Sequence, residues 1–270
     1  MAELANTFAM ESLEMKVTWN GTGSAWSRQY GNSSALIEEE NYRLLVDCGH
    51  TVPARLCESG FDLKDIGAVF ISHLHGDHIY GLEEWGFKNF LIWNQKPFLF
   101  IPEVLVDALW TNVLAGTMAQ VCNTHCELTD YFEVVPLVVG GSIQYGRMTL
   151  EIHSVDHVPH APAFGLKVTS GGIGVGFTCD TLANVSPWFY ENTQIVFHDC
   201  ALYPPFPETV HAHFSELLEY PEDWRRKTYL VHYGDELAEL EADTEFQSQL
   251  AESGMRIARP HEPIILNKSE

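Results

Sequence analysis

The chain has 270 residues, of which 46% are hydrophobic, and its formal net charge is −22. This length fits one α/β domain with a sizeable core, and its apolar runs are far shorter than a membrane span requires. Its 15 Lys and Arg residues argue against a long nucleic acid as a partner, because phosphates are bound mainly by cationic side chains.

Residues 1–14 precede the first predicted strand, Met15–Trp19. We interpret them as an N-terminal extension to a single domain of residues 15–270. The extension lacks the basic and apolar regions of a secretion signal. The six cysteines are irregularly spaced and do not indicate a disulfide framework. We therefore expect a cytoplasmic protein, which would act in the host cytoplasm if the chain is viral.

Strands and helices alternate along the rest of the chain. The hydrophobic pattern predicts strands over residues 34–38, 43–47, 68–71, 98–101, 150–155, 166–168, 175–179, 194–198 and 228–231. It predicts helices over residues 52–58, 82–90, 103–114, 181–193, 215–220 and 236–253. This order is typical of an α/β fold.

Four metal-binding side chains lie within six residues directly after the strand 68–71, in His73-Leu74-His75-Gly76-Asp77-His78. His73 and His75 can face one point, because side chains alternate along an extended segment. Gly76 allows a tight turn that brings Asp77 and His78 to a second point. This pattern predicts two adjacent metal ions, and the donors suit zinc, manganese or iron rather than calcium.

Three further candidate ligands follow predicted strands. His157 comes after the strand 150–155, Asp180 ends the strand 175–179, and His232 follows the strand 228–231. Open sheets place their sites at such strand ends. A carboxylate at Asp180 would be placed to bridge both ions.

The combined pattern resembles the metallo-β-lactamase superfamily, and within it the tRNase Z-like phosphodiesterase branch. The resemblance covers roughly residues 15–233 and implies an αβ/βα sandwich. Besides the ligands, it includes Gly21-Thr22-Gly23-Ser24-Ala25, Asp47-Cys48-Gly49, Phe164-Gly165, His198-Asp199-Cys200-Ala201 in place of His-Glu-Ala, and His213-Phe214-Ser215 in place of His-Ser-Thr.

The resemblance also implies which ligands hold each of two divalent ions, with zinc expected and manganese as the alternative. One ion would take His73, His75 and His157, the other would take Asp77, His78 and His232, and Asp180 would be shared. His160 is a competitor of His157, because the family's interval to the Phe-Gly step is shorter than the interval in this chain.

The expected chemistry is attack by a water with a lowered pKa, which Asp77 would orient or deprotonate. In the branch, the histidine of His-Ser-Thr protonates the leaving alkoxide with help from the glutamate of His-Glu-Ala. These roles carry over to His213 and Asp199. Asp is one methylene shorter than Glu, so this contact has to be rebuilt. His211, two residues before His213, is a competitor for the acid role.

The spacing of the ligands favours a small substrate. Long-form bacterial tRNA processors carry a basic arm between the third ligand and the bridging Asp, but His157 and Asp180 are only 23 positions apart (180 − 157). The size and pattern are similar to the phage-associated anti-Pycsar phosphodiesterases, which hydrolyse nucleoside 3′,5′-cyclic monophosphates. We therefore expect a small anionic phosphodiester as substrate, with a cyclic nucleotide as the first choice.

A tRNA 3′-end processing endonuclease is the alternative, and a lactonase or thioesterase is a further one. A cyclic nucleotide would call for aromatic side chains that stack on its base, and Trp26, Tyr80 and Tyr203 are the candidates. Relatives in this branch are commonly homodimers, and we expect a homodimer by that analogy.

Overall fold

The structure, a computed structural model, describes residues 14–206 and 208–268. In this part of the chain, two seven-stranded sheets pack against each other as an αβ/βα sandwich. One continuous core takes apolar side chains from both sheets, and Trp19 of the first sheet meets Phe197 of the second at a centroid distance of 5.0 Å. The predicted α/β single-domain architecture is confirmed.

The strands are numbered in chain order. They are β1 (Glu14–Gly21), β2 (Ser34–Glu39), β3 (Tyr42–Val46), β4 (Ala68–Phe70), β5 (Phe98–Pro102), β6 (Gln120–Val121), β7 (Thr124–His125), β8 (Glu133–Leu137), β9 (Ser142–Tyr145), β10 (Met148–Val155), β11 (Ala163–Ser170), β12 (Ile173–Phe177), β13 (Ile195–Asp199), β14 (Thr228–Val231), β15 (Arg256–Ile257) and β16 (Ile264–Asn267).

The α-helices are short. They are α1 (Val52–Glu58), α2 (Gly76–Ile79), α3 (Leu82–Lys88), α4 (Glu103–Ala108), α5 (Ala115–Met118), α6 (Leu128–Tyr131), α7 (Phe214–Leu217), α8 (Glu222–Arg226), α9 (Leu237–Leu240) and α10 (Thr244–Ser253). Helices α3 and α4 continue as π-helical turns over Asn89–Trp93 and Leu109–Leu114. Short 3-10 turns cover Leu63–Asp65 and Pro187–Tyr190.

Each of the two seven-stranded sheets combines antiparallel and parallel strands, and β6 and β7 form a separate antiparallel pair. The first has the order β16-β1-β2-β3-β4-β5-β8, and the second has the order β15-β14-β13-β12-β11-β10-β9. The parallel neighbours β3-β4 and β12-β13-β14 end at the same edge of their sheets. The loops that follow β4, β12 and β14 carry six of the seven candidate metal ligands, and the seventh, His157, follows β10.

Two helix predictions are wrong, for different reasons. Residues 181–193 contain only the 3-10 turn Pro187–Tyr190, because Pro187 has no N–H to donate in the interior of the predicted helix. Residues 236–253 form two helices, because the Asp243 side chain accepts from two backbone N–H groups and starts α10 as its N-cap.

The predicted extension, residues 1–14, falls largely outside the described residues, and Glu14 is the first residue of β1. All six cysteines are free. Among the residues that the structure describes, no helix has the length and apolar character needed to cross a bilayer.

Candidate active site

The first ligand motif occupies the loop after β4 and the short helix α2. His73 lies three residues beyond the strand, His75 immediately precedes α2, and α2 itself carries Asp77 and His78. The backbone N–H of Cys48, just beyond β3, donates to the His78 carbonyl over 2.7 Å. The end of one central strand therefore fixes the ligand loop of the next.

The seven side chains predicted as ligands converge from four loops into two groups that share Asp180. In each group the ligand atoms lie within 4.8 Å of one another. The first group consists of His73, His75, His157 and Asp180, and the second of Asp77, His78, Asp180 and His232. These are the two sets that the family resemblance implies for two ions.

The donor atoms fit a pair of divalent cations. Nε2 of His73, His78 and His232 is buried and lacks a hydrogen bond of good geometry. A buried polar atom left in this state is costly, and a metal ion would satisfy each of the three. Imidazoles combined with carboxylates are suitable ligands for zinc or manganese.

The protonation states of the ligand side chains depend on their burial and on the charges of their neighbours. Burial raises the pKa of the Asp180 carboxyl, but the charges of His232 and His78 more than offset it and hold this pKa well below its usual value. Burial lowers the pKa of His73 and His157. Both rings are therefore neutral near pH 7 and keep a lone pair for a metal.

Contacts outside the cluster orient the ligand rings. Asp47 Oδ2 accepts from His78 Nδ1 over 2.8 Å and from the Ser72 hydroxyl over 2.7 Å. His157 donates from Nδ1 to the Val210 carbonyl oxygen over 2.8 Å. Such contacts fix the tautomer and leave Nε2 to face the ions. The sequence interpretation gave Asp47 no such role, although its position directly after β3 was a usable signal.

His211 lies at the edge of the cluster. Its Nδ1 donates to Asp199 Oδ2 over 2.8 Å, and its ring stacks on that of His232 with centroids 4.7 Å apart. The Asp199 charge and this hydrogen bond more than offset burial and raise the pKa of His211. The His211 side chain keeps 19% of its surface exposed, so a substrate can reach it.

His213, the acid expected from the sequence, is placed differently. It is 2% exposed, its Nε2 pairs with Thr209 Oγ1 at 3.2 Å, and its ring packs against Tyr203. It also begins α7, where its backbone N–H donates to Glu216. The structure therefore pairs Asp199 with His211 instead of His213, and its geometry favours the competitor two residues earlier.

The geometry also distinguishes between the remaining candidates for metal binding and for base stacking. His160 belongs to neither ligand group and lies in a left-handed turn with φ of 65°, so the geometry favours His157. Of the aromatic candidates, Trp26 and Tyr80 line an open pocket together with the His75 and Asp77 side chains. Tyr203 instead packs against His213 and Phe206.

Comparisons with known proteins agree on one family. The family model described as anti-Pycsar protein Apyc1 matches residues 15–256. An anti-Pycsar protein Apyc1 from Paenibacillus harenae is 33% identical over 234 residues, which cover 85% of this chain and 94% of the relative. The protein of the same name from Bacillus phage vB_BveM-Goe7 is 36% identical over 256 residues, covering 90% and 97%.

Solved structures show the fold. The metallo-β-lactamase fold protein YhfI from Bacillus subtilis matches with a TM-score of 0.69 and 16% identity, over 94% of this chain and all of its own. The short form of human tRNase Z matches with a TM-score of 0.68 and 21% identity, over 92% and 98% of the two chains. The sandwich is thus a metallo-β-lactamase fold.

Proposed function

The chain belongs to the anti-Pycsar protein Apyc1 family and is a metal-dependent hydrolase, and we propose that its substrate is a nucleoside 3′,5′-cyclic monophosphate. The reaction would open the cyclic phosphodiester to a linear nucleoside monophosphate.

The observation that carries this proposal is the sharing of Asp180 between two groups of metal-ligating side chains. Asp180 Oδ1 lies 3.3 Å from His78 Nε2, and Oδ2 lies 3.7 Å from both His73 Nε2 and His157 Nε2. One carboxylate is therefore within reach of both groups. Paired cations in such a site suit in-line displacement at phosphorus.

Two bound divalent cations would supply a water of lowered pKa and would polarise the phosphoryl oxygens. The chain's own residues would position and protonate the reactants. Burial raises the pKa of the Asp77 carboxyl, but the neighbouring imidazoles of His78 and His232 more than offset it and lower this pKa. Asp77 would therefore be ionised and would orient the attacking water. His211, aligned by Asp199, would deliver a proton from Nε2 to the leaving alkoxide.

A tRNA 3′ end is less well supported as the substrate. The interval between His157 and Asp180 holds the antiparallel pair β11 and β12, with register contacts from Leu166↔Phe177 to Ser170↔Ile173, which leaves no length for a basic arm there. The net charge of −22 would also repel a long polyanion. A small phosphodiester avoids both difficulties.

The proposal also covers the identity of the metal ion, the oligomeric state and the cellular location. Zinc is the proposed ion, with manganese as the alternative, because the donors are imidazoles and carboxylates. We propose a homodimer that acts in a cytoplasm, which would be the host's for a phage-encoded chain. Light scattering of the purified protein tests the dimer, and metal analysis tests the ion.

The function is tested by incubating the zinc-loaded protein with cAMP, cGMP, cCMP and cUMP, and in parallel with precursor tRNA and an acyl thioester. We expect linear monophosphates from the cyclic nucleotides and loss of this activity in Asp180→Asn. Cleavage of precursor tRNA or the thioester, with the cyclic nucleotides left intact, would refute the proposal.

A further inference from the structure

Two large aromatic side chains stand exposed beside the metal-ligating cluster. Trp26 is 89% exposed and Tyr80 is 59% exposed. Both line an open pocket of about 500 Å³ that also includes His75 and Asp77. This volume falls within the range of roughly 300–1,000 Å³ that small-molecule sites occupy. The pocket thus joins two uncovered aromatic surfaces to the reacting centre.

The Tyr80 ring is fixed to the turn that carries the metal ligands. Its backbone N–H donates to the Gly76 carbonyl over 3.0 Å. A Cβ added at Gly76 would lie 2.2 Å from Tyr80 Cε2, so the ring fills the space that glycine leaves. The orientation of Tyr80 is therefore tied to that of Asp77 and His78.

The loop that carries Trp26 is held by the carboxylate of Asp235, which is more than 200 residues away in the sequence. Asp235 Oδ1 accepts from the Ser27 hydroxyl over 2.6 Å and from the backbone N–H of Gln29 over 3.1 Å. Its Oδ2 accepts from the backbone N–H of Arg28 over 3.1 Å. Hydrogen bonds to an ionised carboxylate are about twice as strong as neutral ones, so Asp235 anchors both residues that follow Ser27.

The same loop is also tied to the segment after the last metal ligand. The backbone N–H of Ser24 donates to the Tyr233 carbonyl over 2.9 Å, and the Tyr233 hydroxyl lies 2.6 Å from Thr22 Oγ1. Asp235 comes three residues after His232. One short segment therefore supplies both a metal ligand and the anchor of the Trp26 loop.

We propose that Trp26 and Tyr80 form a subsite for the nucleobase of the substrate, and that Asp235 is a positioning residue that holds Trp26 in place. The inference rests on the proposed function, since it assigns the part of the cyclic nucleotide that lies away from the phosphate. A flat heteroaromatic base offers a π-face to either ring. Stacking tolerates every base, so the subsite predicts that purine and pyrimidine cyclic nucleotides are both accepted.

The test compares KM and kcat for cAMP and cCMP in the zinc-loaded full chain. Stacking is worth roughly 1–3 kcal/mol per base, which corresponds to about 5- to 150-fold in affinity. We expect Trp26→Leu and Asp235→Ala each to raise KM about tenfold or more, with a much smaller change in kcat. Trp26→Phe keeps an aromatic face and should recover most of the lost affinity.

Two controls match these variants. Trp188 is also exposed, at 73%, but does not line the pocket, so Trp188→Leu should leave both constants as in the wild type. Asp243 likewise accepts from two backbone N–H groups, at the start of α10, so Asp243→Ala reports the general effect of losing such an anchor. Hydrogen exchange of the peptide over residues 24–30 should speed up in Asp235→Ala and not in Asp243→Ala.

The outcomes separate the two levels of the proposal. If the wild type hydrolyses no cyclic nucleotide, the proposed function fails and the subsite fails with it. If the wild type is active but Trp26→Leu and Asp235→Ala keep the wild-type KM, the subsite is refuted while the function stands. If KM rises in Asp235→Ala without faster exchange over residues 24–30, the positioning role of Asp235 is refuted.

Discussion

His211 and Asp199 form a partly buried hydrogen-bonded pair at the rim of the metal-ligating cluster, with Nδ1 donating to Oδ2 over 2.8 Å. Asp199 is completely buried, and its Oδ2 also accepts from the backbone N–H of Thr181 over 2.9 Å. The carboxylate is therefore fixed and determines which nitrogen of His211 is left to face a substrate. This orienting contact is what a general acid requires.

His211→Ala should lower kcat for a cyclic nucleotide by about 10²- to 10⁴-fold, the usual contribution of a positioned acid. His213→Asn should stay within a few-fold of the wild type, because Asn also caps a helix well and the His213 ring packs against Tyr203 and belongs to neither group of metal-ligating side chains. Steady-state kinetics, with metal content measured for each variant, checks this. The reverse order of effects would restore His213 as the acid.

Gly49→Ala should destabilise the protein and weaken metal binding. Its Cβ would lie 1.9 Å from the Asp77 carbonyl oxygen, so the ligand loop would have to move. Overpacking of this kind costs about 1–3 kcal/mol, which urea denaturation measures. Gly116→Ala is the matched control, because nothing lies within 4 Å of its Cβ and alanine favours a helix. Equal free energies of unfolding for the two variants would contradict the close contact between Gly49 and the Asp77 carbonyl oxygen.

Removal of metal should destabilise the fold as well as abolish activity. Without an ion, the buried Nε2 atoms of His73, His78 and His232 are left without good hydrogen bonds. Free metal at 1,000 times its Kd stabilises a protein by about 4 kcal/mol, so a chelator should lower Tm by roughly 10 °C. Differential scanning calorimetry before and after zinc is restored measures this. An unchanged Tm together with full activity in chelator would argue against a metal centre.

Stability should fall in mild acid because of His153. Burial, with a smaller effect of Lys167, lowers the pKa of His153 from 6.5 to about 4. The folded state therefore favours the neutral ring. The contribution of His153 to the free energy of unfolding is complete above pH 6.5 and is lost as pH falls from 6.5 to about 4. The full shift corresponds to roughly 3 kcal/mol, which solvent at the partly exposed ring reduces to about 1–2 kcal/mol.

The His153 contribution is measured as the difference between wild type and His153→Leu, both free of metal. The unfolding free energy of the wild type should drop more between pH 7 and pH 4 than that of the variant. Parallel pH curves for the two proteins would show that His153 is not the group responsible.

The convergence of the candidate metal ligands was predictable from the sequence because each follows a strand. Parallel strands such as β12, β13 and β14 end at one edge of their sheet, so Asp180 and His232 had to approach each other once the strands were recognised. The helix over residues 181–193 was predicted wrongly because Pro187, which breaks a helix interior, lies in the middle of its apolar pattern. The hydrogen bond from Thr181 to Asp199, in contrast, depends on tertiary structure and has no signal in the local sequence.

The proposed general acid and the proposed nucleobase subsite were harder to predict for a related reason. His211 and His213 lie two residues apart, and only their contacts in the folded chain distinguish them: His211 pairs with the Asp199 carboxylate and His213 with the Thr209 hydroxyl. The link from Asp235 to the Trp26 loop spans more than 200 positions of sequence. No periodicity relates such segments, so the structure was needed to find the link.

The most direct test of the central claim is mass spectrometry of the products formed from cyclic CMP by the zinc-loaded protein in water labelled with oxygen-18. Hydrolysis by a water placed beside Asp77 and Asp180 predicts linear cytidine monophosphate that carries one labelled oxygen on its phosphate. Intact cyclic CMP, or a linear product without label on the phosphate, would contradict the account.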